Sequence, residues 1–327
     1  MLRWMNFVMA CLLSACWLVQ PAHAEENPQN RIVYIAPDLG LLFWRTLSDG
    51  VAAVVESRQY RFETLTSQNS REIELQHVRR AIANGVAGIV LTPTDSSSAP
   101  AALELAAKHG MPVVIADIGT DGGDYVSFVS SDDYAGGKRV GETLATALVE
   151  KGWQDAPVGI VAISQARRNG QDRTRGFDDG LAEAGFTGQI APLRQMQSYS
   201  AKETEEFVRD MLTETPGLRA LFVQTDQPAM GALRAIREAE RQGEVLLAAF
   251  DGIPAFVEPL REGAILVSGM QQPRLMGMQA GEALVEHLAG GMPARRIMVP
   301  ILIVTPDNID TLLPRLQDTV FGEESSR

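Results

Sequence analysis

Short apolar runs rich in β-branched residues alternate with longer stretches of helical periodicity along almost the whole chain. Such runs are typical of strands buried on both faces of a parallel sheet, with helices crossing between them. Because about ten such strands exceed the usual size of one sheet, the pattern predicts an α/β protein with two lobes. The strands are predicted at residues 32–36, 62–65, 88–91, 112–116, 127–130, 158–162, 190–192, 220–223, 245–249 and 264–267.

Bulky apolar residues interrupt this pattern after the first predicted strand. Leu42, Phe43 and Trp44 lie between that strand and an amphipathic helical pattern over residues 47–55. In an open α/β sheet, the loop that follows a strand lies at the edge where ligands bind. We therefore expect Phe43 and Trp44 to lie on a loop and to contact a ligand. The alternative is that Trp44 packs under its own helix as core, as large aromatic residues often do.

Helix ends carry ordinary boundary signals. Ser70 is predicted to be the N-cap of a helix that ends at Asn84-Gly85. The sequence SSDD at 130–133 is likewise predicted to cap a helix rather than to supply a pair of catalytic acids.

The composition is that of a globular protein, with 45% hydrophobic and 21% charged residues among 327. Acidic residues outnumber basic ones by 41 to 29, which gives a net charge of −12. This balance argues against nucleic acid and against anionic membranes as partners.

The N-terminal segment MLRWMNFVMACLLSACWLVQPAHAEE combines one arginine, an apolar stretch too short to span a membrane, and Ala-His-Ala before Glu25. This layout predicts a secretory signal peptide over residues 1–24, cleaved after Ala24. The alternative is a lipoprotein signal, in which LSAC presents Cys16 for lipidation. Cleavage after Ala24 would remove both cysteines and leave 28 basic against 41 acidic residues, a net charge of −13. Such a chain could not depend on disulfides.

Catalytic and metal sites find little support in the sequence. Outside the predicted signal peptide, His77, His109 and His287 are isolated in helical patterns and lack the spacing of metal ligands. The GGK sequence at 136–138 lacks both the earlier glycine and the following Ser or Thr of a phosphate-binding loop. We therefore predict no enzyme activity, no metal and no cofactor.

Polar and aromatic residues follow several of the predicted strands. A single Asp at such a place is typical of a helix cap. Helix capping explains several such residues together less well, because the carboxyl ends of parallel strands lie at one edge of a sheet, where ligands bind. Together with Phe43 and Trp44, the set predicts a ligand site. Its members are Asp117, Thr225, Asp226, Phe250, Asp251 and Gln271.

Several segments match motifs of one protein family: TPTDSSSA (92–99), SSDDYAGGKRVGE (130–142), DRTRGF (172–177), QTDQPAMGALRAI (224–236), AAFDG (248–252) and VTPDNID (304–310). Through them the chain resembles, over residues 31–308, periplasmic sugar-binding proteins of the ribose-binding type, the receptors of ABC importers. The resemblance implies two Rossmann-like lobes with parallel sheets, joined by a three-crossing hinge, with the ligand enclosed between them. Lobe one would comprise residues 31–132 and 273–301, and lobe two residues 133–272 and 302–320.

The family's ligand positions can be placed on this sequence residue by residue. Its aromatic side chains stack on sugar faces, while carboxylate, guanidinium and amide groups hydrogen-bond the hydroxyls in a desolvated cleft. The matching positions are Phe43, Trp44, Asp117, Arg173, Tyr199, Thr225, Asp226, Phe250, Asp251 and Gln271.

Four positions depart from the ribose-type pattern. Pro37 stands where the family has a Ser, and Ile118 stands where it has an Arg. Leu41 and Thr225 each replace an Asn. Asp38 could replace one of these lost polar partners. These departures argue against ribose itself, and within the class of sugars, deoxy sugars and polyols they favour a deoxy sugar, a polyol or a ligand with an apolar face.

The resemblance implies a periplasmic, monomeric receptor without catalysis that delivers a small sugar-like ligand to a membrane ABC permease. A second hypothesis is a ligand-sensing partner of a membrane histidine kinase or chemoreceptor, because closure around a ligand serves both tasks. Sugar-responsive transcription repressors share this core but need an N-terminal helix-turn-helix, and the predicted signal peptide occupies that place.

Overall fold

The computed structural model describes residues 30–322. The predicted signal peptide, its cleavage after Ala24 and the alternative lipidation at Cys16 lie outside the described residues. Within residues 30–322, none of the helices combines the length and the apolar character needed to cross a membrane.

In this part of the chain the strands, numbered in chain order, form two six-stranded sheets. Neighbouring strands of the first sheet all run parallel. In spatial order this sheet contains β11 (Arg296–Val299), β5 (Ser127–Ser131), β4 (Val113–Ala116), β3 (Gly88–Leu91), β1 (Arg31–Ala36) and β2 (Arg61–Thr66).

The second sheet has the same arrangement with one exception at its edge. In spatial order it contains β12 (Leu302–Val304), β10 (Val267–Met270), β9 (Leu246–Phe250), β8 (Ala220–Val223), β6 (Val158–Ala162) and β7 (Arg194–Gln195). All pairs are parallel except that β12 runs antiparallel to β10.

Helices connect most of these strands. A short 3₁₀ helix, Pro254–Phe256, precedes the eighth α-helix. The α-helices of the described residues are α1 (Leu42–Ser57), α2 (Arg71–Ala83), α3 (Ala99–Lys108), α4 (Asp133–Glu150), α5 (Arg168–Glu183), α6 (Ala201–Glu214), α7 (Asp226–Glu238), α8 (Val257–Arg261), α9 (Pro273–Leu288) and α10 (Ile309–Thr319).

Each sheet has an apolar core on both faces, because successive residues of a strand point to opposite sides. In β1, Ile32 and Tyr34 belong to one buried cluster, whereas Val33 and Ile35 belong to another. The strands of the second sheet divide their side chains in the same way. The predicted α/β fold with two lobes of largely parallel sheet is confirmed.

Most predicted strands match observed ones to within one or two residues, but two do not. At 190–192 only Ile190 pairs, through an isolated bridge to Val158, and the strand there is β7. The strand predicted at 264–267 lies instead at β10. The residues just before β10 belong to the turn after α8, because the Ile265 N–H donates to the Pro259 carbonyl at 3.0 Å.

The apolar pattern does not predict β11 and β12. Three of the four β11 side chains are exposed or half-buried, so no continuous apolar run marks this strand. Strand β12 is only three residues long. The chain passes from one sheet to the other three times: between β5 and β6, between β10 and β11, and between β11 and β12. Strands β11 and β12 lie next to these crossings. The predicted lobe boundaries near these crossings stay a prediction.

The predicted helix caps are confirmed. The Ser70 hydroxyl accepts a hydrogen bond from the Ile73 N–H at 3.3 Å, and the Asp132 carboxylate accepts one from the Ala135 N–H at 3.0 Å. Helix α2 ends as expected, with Gly85 following at a φ of 62°.

Glycines allow helices α4 and α5 to approach each other closely. A methyl group at Gly137 of α4 would collide with the backbone carbonyl of Arg173, and one at Gly176 of α5 would collide with that of Tyr134. The glycines of the GGK and RGF segments therefore serve helix packing. The contact also fixes the position of Arg173 relative to the start of α4.

We expect Gly137→Ala to lower the free energy of unfolding by about 1 to 3 kcal/mol, because the added methyl group overpacks the two helices. Urea denaturation monitored by circular dichroism measures this change. Gly217→Ala is the matched control, since a methyl group there would meet its nearest neighbour, Pro157, at an ordinary 3.8 Å. An equal loss in both variants would show that the α4–α5 contact is not tight.

Candidate functional site

A cavity lies where the carboxyl ends of the strands of the two sheets face each other. It contains about 520 Å³ of space not filled by protein atoms, part of it open to solvent. The cavity is lined by Leu41, Phe43, Trp44, Asn69, Asp117, Ile163, Arg167, Asn169, Arg173, Tyr199, Thr225, Asp226, Asp251 and Gln271.

Phe43 and Trp44 form an aromatic wall of this cavity, but they do not lie on a loop as predicted. Helix α1 already begins at Leu42, so both residues belong to its first turn. The Arg45 N–H closes this turn by donating to the Leu41 carbonyl at 3.4 Å. The two ring centroids are 4.7 Å apart, at an angle of 81°. Trp44 is only 6% exposed and also packs in the core of the first sheet, so it lies both in the cavity wall and in the core.

Asp117 and Asp251 occupy equivalent places directly after β4 and β9. Both have left-handed backbones, with φ values of 61° and 60°. Asp adopts this sparsely populated region more readily than most residues with a side chain. The Asp117 N–H donates to the Val129 carbonyl at 2.8 Å, and the Asp251 N–H donates to the Gly269 carbonyl at 2.9 Å. The neighbouring strand thus holds each strained residue at the cavity wall.

Arg173 of α5 lies at the centre of a buried network. Its Nε donates to Asp133 Oδ1 at 2.8 Å, and its Nη1 donates to Asp251 Oδ2 at 3.1 Å. The same Nη1 donates to the Gln224 carbonyl at 2.8 Å, while Nη2 donates to Gln271 Oε1. Every nitrogen of this guanidinium is therefore held by the protein. The SSDD segment does cap α4, but its second Asp also pairs with Arg173.

Gln271 connects this network to the first sheet. Its Nε2 donates to Asp117 Oδ1 at 2.8 Å and to Ser131 Oγ at 3.1 Å. The other oxygen of Asp117 accepts a hydrogen bond from Asn169 Nδ2 at 3.2 Å. Both oxygens of the Asp117 carboxylate are therefore bonded to residues that follow strands of the second sheet.

The carboxylates around Arg173 have raised pKa values. Burial raises the pKa of Asp133 and of Asp251 to about 7, against the opposing effect of Arg173. Burial also raises the pKa of Asp117 and of Asp226. Burial alone would lower the pKa of Arg173, but the neighbouring carboxylates outweigh the effect of burial and raise this pKa. Four buried carboxyl groups thus interact with the positive charge of Arg173.

A family model for the periplasmic binding protein domain matches residues 32–292. The chain belongs to this family. Among its relatives is the ribose import binding protein of Salmonella typhimurium, 27% identical over 296 residues that cover 90% of this chain and 97% of that protein. Another is the D-ribose/D-allose-binding protein of Pseudomonas aeruginosa, 29% identical over 317 residues that cover 92% and 97%. The predicted resemblance to ribose-type periplasmic binding proteins is confirmed.

Solved structures of solute-binding proteins share the fold. One from Agrobacterium radiobacter, in complex with D-arabinose, has a TM-score of 0.81 at 21% identity and covers 89% of this chain and 98% of its own. One from Bacillus halodurans, with bound myo-inositol, has a TM-score of 0.81 at 21% identity; the match covers 89% of this chain and 99% of that protein. At such identities the likeness shows the fold alone.

Nearly all positions carried over from the ribose-binding type line the cavity, and Phe250 is the exception. Its ring is fully buried in the core of the second sheet and lies under the Arg173 guanidinium, 4.0 Å from it. Phe250 therefore supports Arg173 from below instead of facing the cavity. Asp38 also lies outside the cavity, and its carboxylate accepts a hydrogen bond from the Gly40 N–H at 2.8 Å in its own turn.

Sequence reasoning missed four polar or apolar residues of the cavity wall: Asn69, Ile163, Arg167 and Asn169. Asn69 follows β2, and the other three follow β6. The same argument that selected residues after β4 and β9 could have found them. Arg167 and Asn169 went unnoticed because they precede the DRTRGF motif, on which the family resemblance rests. Within residues 30–322, no group of three or more His, Cys, Asp or Glu side chains is placed to bind a metal.

We expect the buried acids to make the unliganded protein less stable as the pH rises from about 4 to about 7. Below the folded pKa of about 7, folded Asp251 retains its proton while unfolded Asp251 loses it, so the free energy of unfolding falls with rising pH and levels off above pH 7. Arg173, Asp117, Asp133 and Asp226 face Asp251 and set the size of this effect. Its contribution is on the order of 1 to 4 kcal/mol.

Denaturant titrations of the wild type and of Asp251→Asn at several pH values isolate this contribution. The Asn variant should show the shallower decline, whereas Asp38→Asn, outside the cavity, should follow the wild type. Parallel wild-type and Asp251→Asn profiles would mean that Asp251 titrates normally in the folded protein.

Proposed function

We propose that the chain is a periplasmic receptor that encloses a small sugar-like ligand in this cavity and delivers it to an ABC permease. One observation carries the proposal: polar groups at the strand ends of both sheets converge, beside an aromatic wall, on the same cavity. Its relatives are named as sugar-binding proteins, which supports the same conclusion. On this proposal the protein is not an enzyme, and it acts as a monomer.

The side chains of the wall divide the work of binding a sugar. Phe43 and Trp44 offer apolar surface to the C–H face of a ring. Asp226 and Asp251 accept hydrogen bonds from hydroxyl groups, and one oxygen of Asp251, Oδ1, is buried without a partner. A ligand hydroxyl that donates to this oxygen removes the penalty of leaving it unpaired. Thr225 and Tyr199 add hydroxyl groups to the wall.

Ligand entry needs a change in the distance between the two sheets. Hydrogen bonds bridge the two sheets at the start of α5, where Arg168 Nη2 donates to Asp121 Oδ1 at 2.9 Å and the Arg168 N–H donates to Ser96 Oγ at 3.0 Å. We propose that the lobes, bounded at 132–133, 272–273 and 301–302, separate about the three crossings. A ligand that contacts both lobes then stabilises the closed form, which is the form a permease would recognise.

A thermal-shift screen of the protein without residues 1–24 tests the proposal. Pentoses, hexoses, deoxy sugars, sugar acids and polyols are added singly, since a ligand that binds only the folded state raises the melting temperature. At least one of these compounds should do so, with calorimetry giving one site per chain. If amino acids raise the melting temperature and no sugar derivative or polyol does, the proposed ligand class is wrong.

We expect Asp251→Ala to weaken binding of the ligand found in that screen by about 30- to 1000-fold, or 2 to 4 kcal/mol, because a buried ligand hydroxyl loses its acceptor. Isothermal titration calorimetry measures the change, and circular dichroism verifies folding. The matched control is Asp38→Ala, which removes a carboxylate outside the cavity and should keep the wild-type affinity. Unchanged affinity in Asp251→Ala would remove this residue from the site.

A further inference from the structure

Arg167 is a second guanidinium in the cavity wall, and it differs from Arg173 in its partners. It precedes α5 and is 8% exposed. Its Nε donates to the Thr94 carbonyl at 3.1 Å, and its Nη2 donates to Asn69 Oδ1 at 2.9 Å. Its guanidinium lies over the Tyr199 ring, 5.2 Å from the centroid. All of these partners are neutral.

No carboxylate of the described residues pairs with Arg167, whereas Arg173 is paired with both Asp133 and Asp251. A buried guanidinium without a directly paired carboxylate is unfavourable unless something else compensates it. The remaining terminal nitrogen, Nη1, has no hydrogen-bond partner within residues 30–322, and neither has Nδ2 of Asn69. This part of the wall therefore presents hydrogen-bond donors and a positive charge.

These donors lie at the outer end of the cavity. Asn69, Arg167 and Tyr199 also line a neighbouring open groove, so they separate the cavity from solvent. The acids Asp226 and Asp251 lie at the other end, around Arg173. Burial raises the pKa of Asp226, and Arg173 is the positive charge that opposes this; for the pKa of Asp117, both Arg173 and, to a smaller extent, Arg167 oppose burial. The cavity thus has a donor end and an acceptor end.

A guanidinium can only donate hydrogen bonds, so a ligand group that faces Arg167 must accept them. A carboxylate fits best, because its two oxygens match the planar fork of the guanidinium and its charge compensates the unpaired cation. We propose that Arg167 binds a carboxylate of the ligand and that the ligand is a sugar acid, such as an aldonate or a uronate. Its hydroxyl groups then face Asp226 and Asp251. This inference rests on the proposed function and narrows its ligand class.

The neighbouring Arg168 offers a matched control. It also bridges the two sheets, through Asp121 and Ser96, but its side chain is 55% exposed and does not line the cavity. Arg168→Gln therefore removes a contact between the lobes and leaves the ligand contacts in place. Arg167→Gln removes both kinds of contact, and Arg167→Lys keeps the charge without the fork.

Calorimetry with matched pairs tests the inference: glucose and glucuronate, galactose and galacturonate, ribose and ribonate, xylose and xylonate. At least one acid should bind wild-type protein about tenfold or more tightly than its neutral parent. Arg167→Gln should abolish this preference, Arg167→Lys should retain part of it, and Arg168→Gln should weaken acid and parent by the same factor. Circular dichroism and melting temperature verify that each variant is folded.

Other results separate this inference from the proposed function. If neutral sugars bind and no acid is preferred, the sugar-acid assignment is wrong while the receptor function stands. The assignment is also wrong if Arg167→Gln and Arg168→Gln weaken acid and parent alike, since Arg167 would then only hold the lobes together. If neither sugars, sugar acids nor polyols bind the wild type, both the inference and the proposed function are wrong.

Discussion

The buried ion pairs of Arg173 constrain the positions of the structural elements that meet at the cavity side of the second sheet. Three structural elements have to deliver their groups to one guanidinium: α4 supplies Asp133, the end of β9 supplies Asp251, and the end of β8 supplies the Gln224 carbonyl. Removing Arg173 would leave the carboxylates of Asp133 and Asp251 buried without their cation, which is far less favourable than keeping the whole set. The network therefore fixes the relative positions of two strands and two helices before any ligand is present.

Two further features keep this network in place. The glycine contact between α4 and α5 brings the start of α4 within hydrogen-bonding distance of Arg173, because no side chain separates the two backbones at Gly137. Beneath the guanidinium, the ring of Phe250 fills the space that water would otherwise occupy and interacts with the positive charge. Helix packing, an aromatic core residue and a strained Asp thus act on one side chain.

The sequence allowed the fold class and most strands to be predicted, because strands buried on both faces have a continuous apolar pattern that local context hardly changes. It could not predict β11, since a half-exposed edge strand lacks this pattern. Residues at strand ends were predictable as a group, but the direction of each side chain was not. Phe250 and Asp251 both follow the strand predicted at 245–249. Only the packing of the sheet decides that Phe250 faces the core while Asp251 faces the cavity. Arg167 lay outside every known motif.

The hydrogen bonds around the cavity fall into two classes with different consequences for motion. Those of Arg173 with Asp133, Asp251 and Gln224 join elements of the second sheet, so they persist if the two sheets move apart. Those of Asp117 with Asn169 and Gln271 join the two sheets and would break, leaving a carboxylate to be hydrated. Hydration of Asp117 in an open form lowers the energy that opening requires, because its burial is unfavourable for the charged state. On the proposed separation of the lobes, a ligand that replaces water at Asp117 would act directly on the balance between open and closed forms.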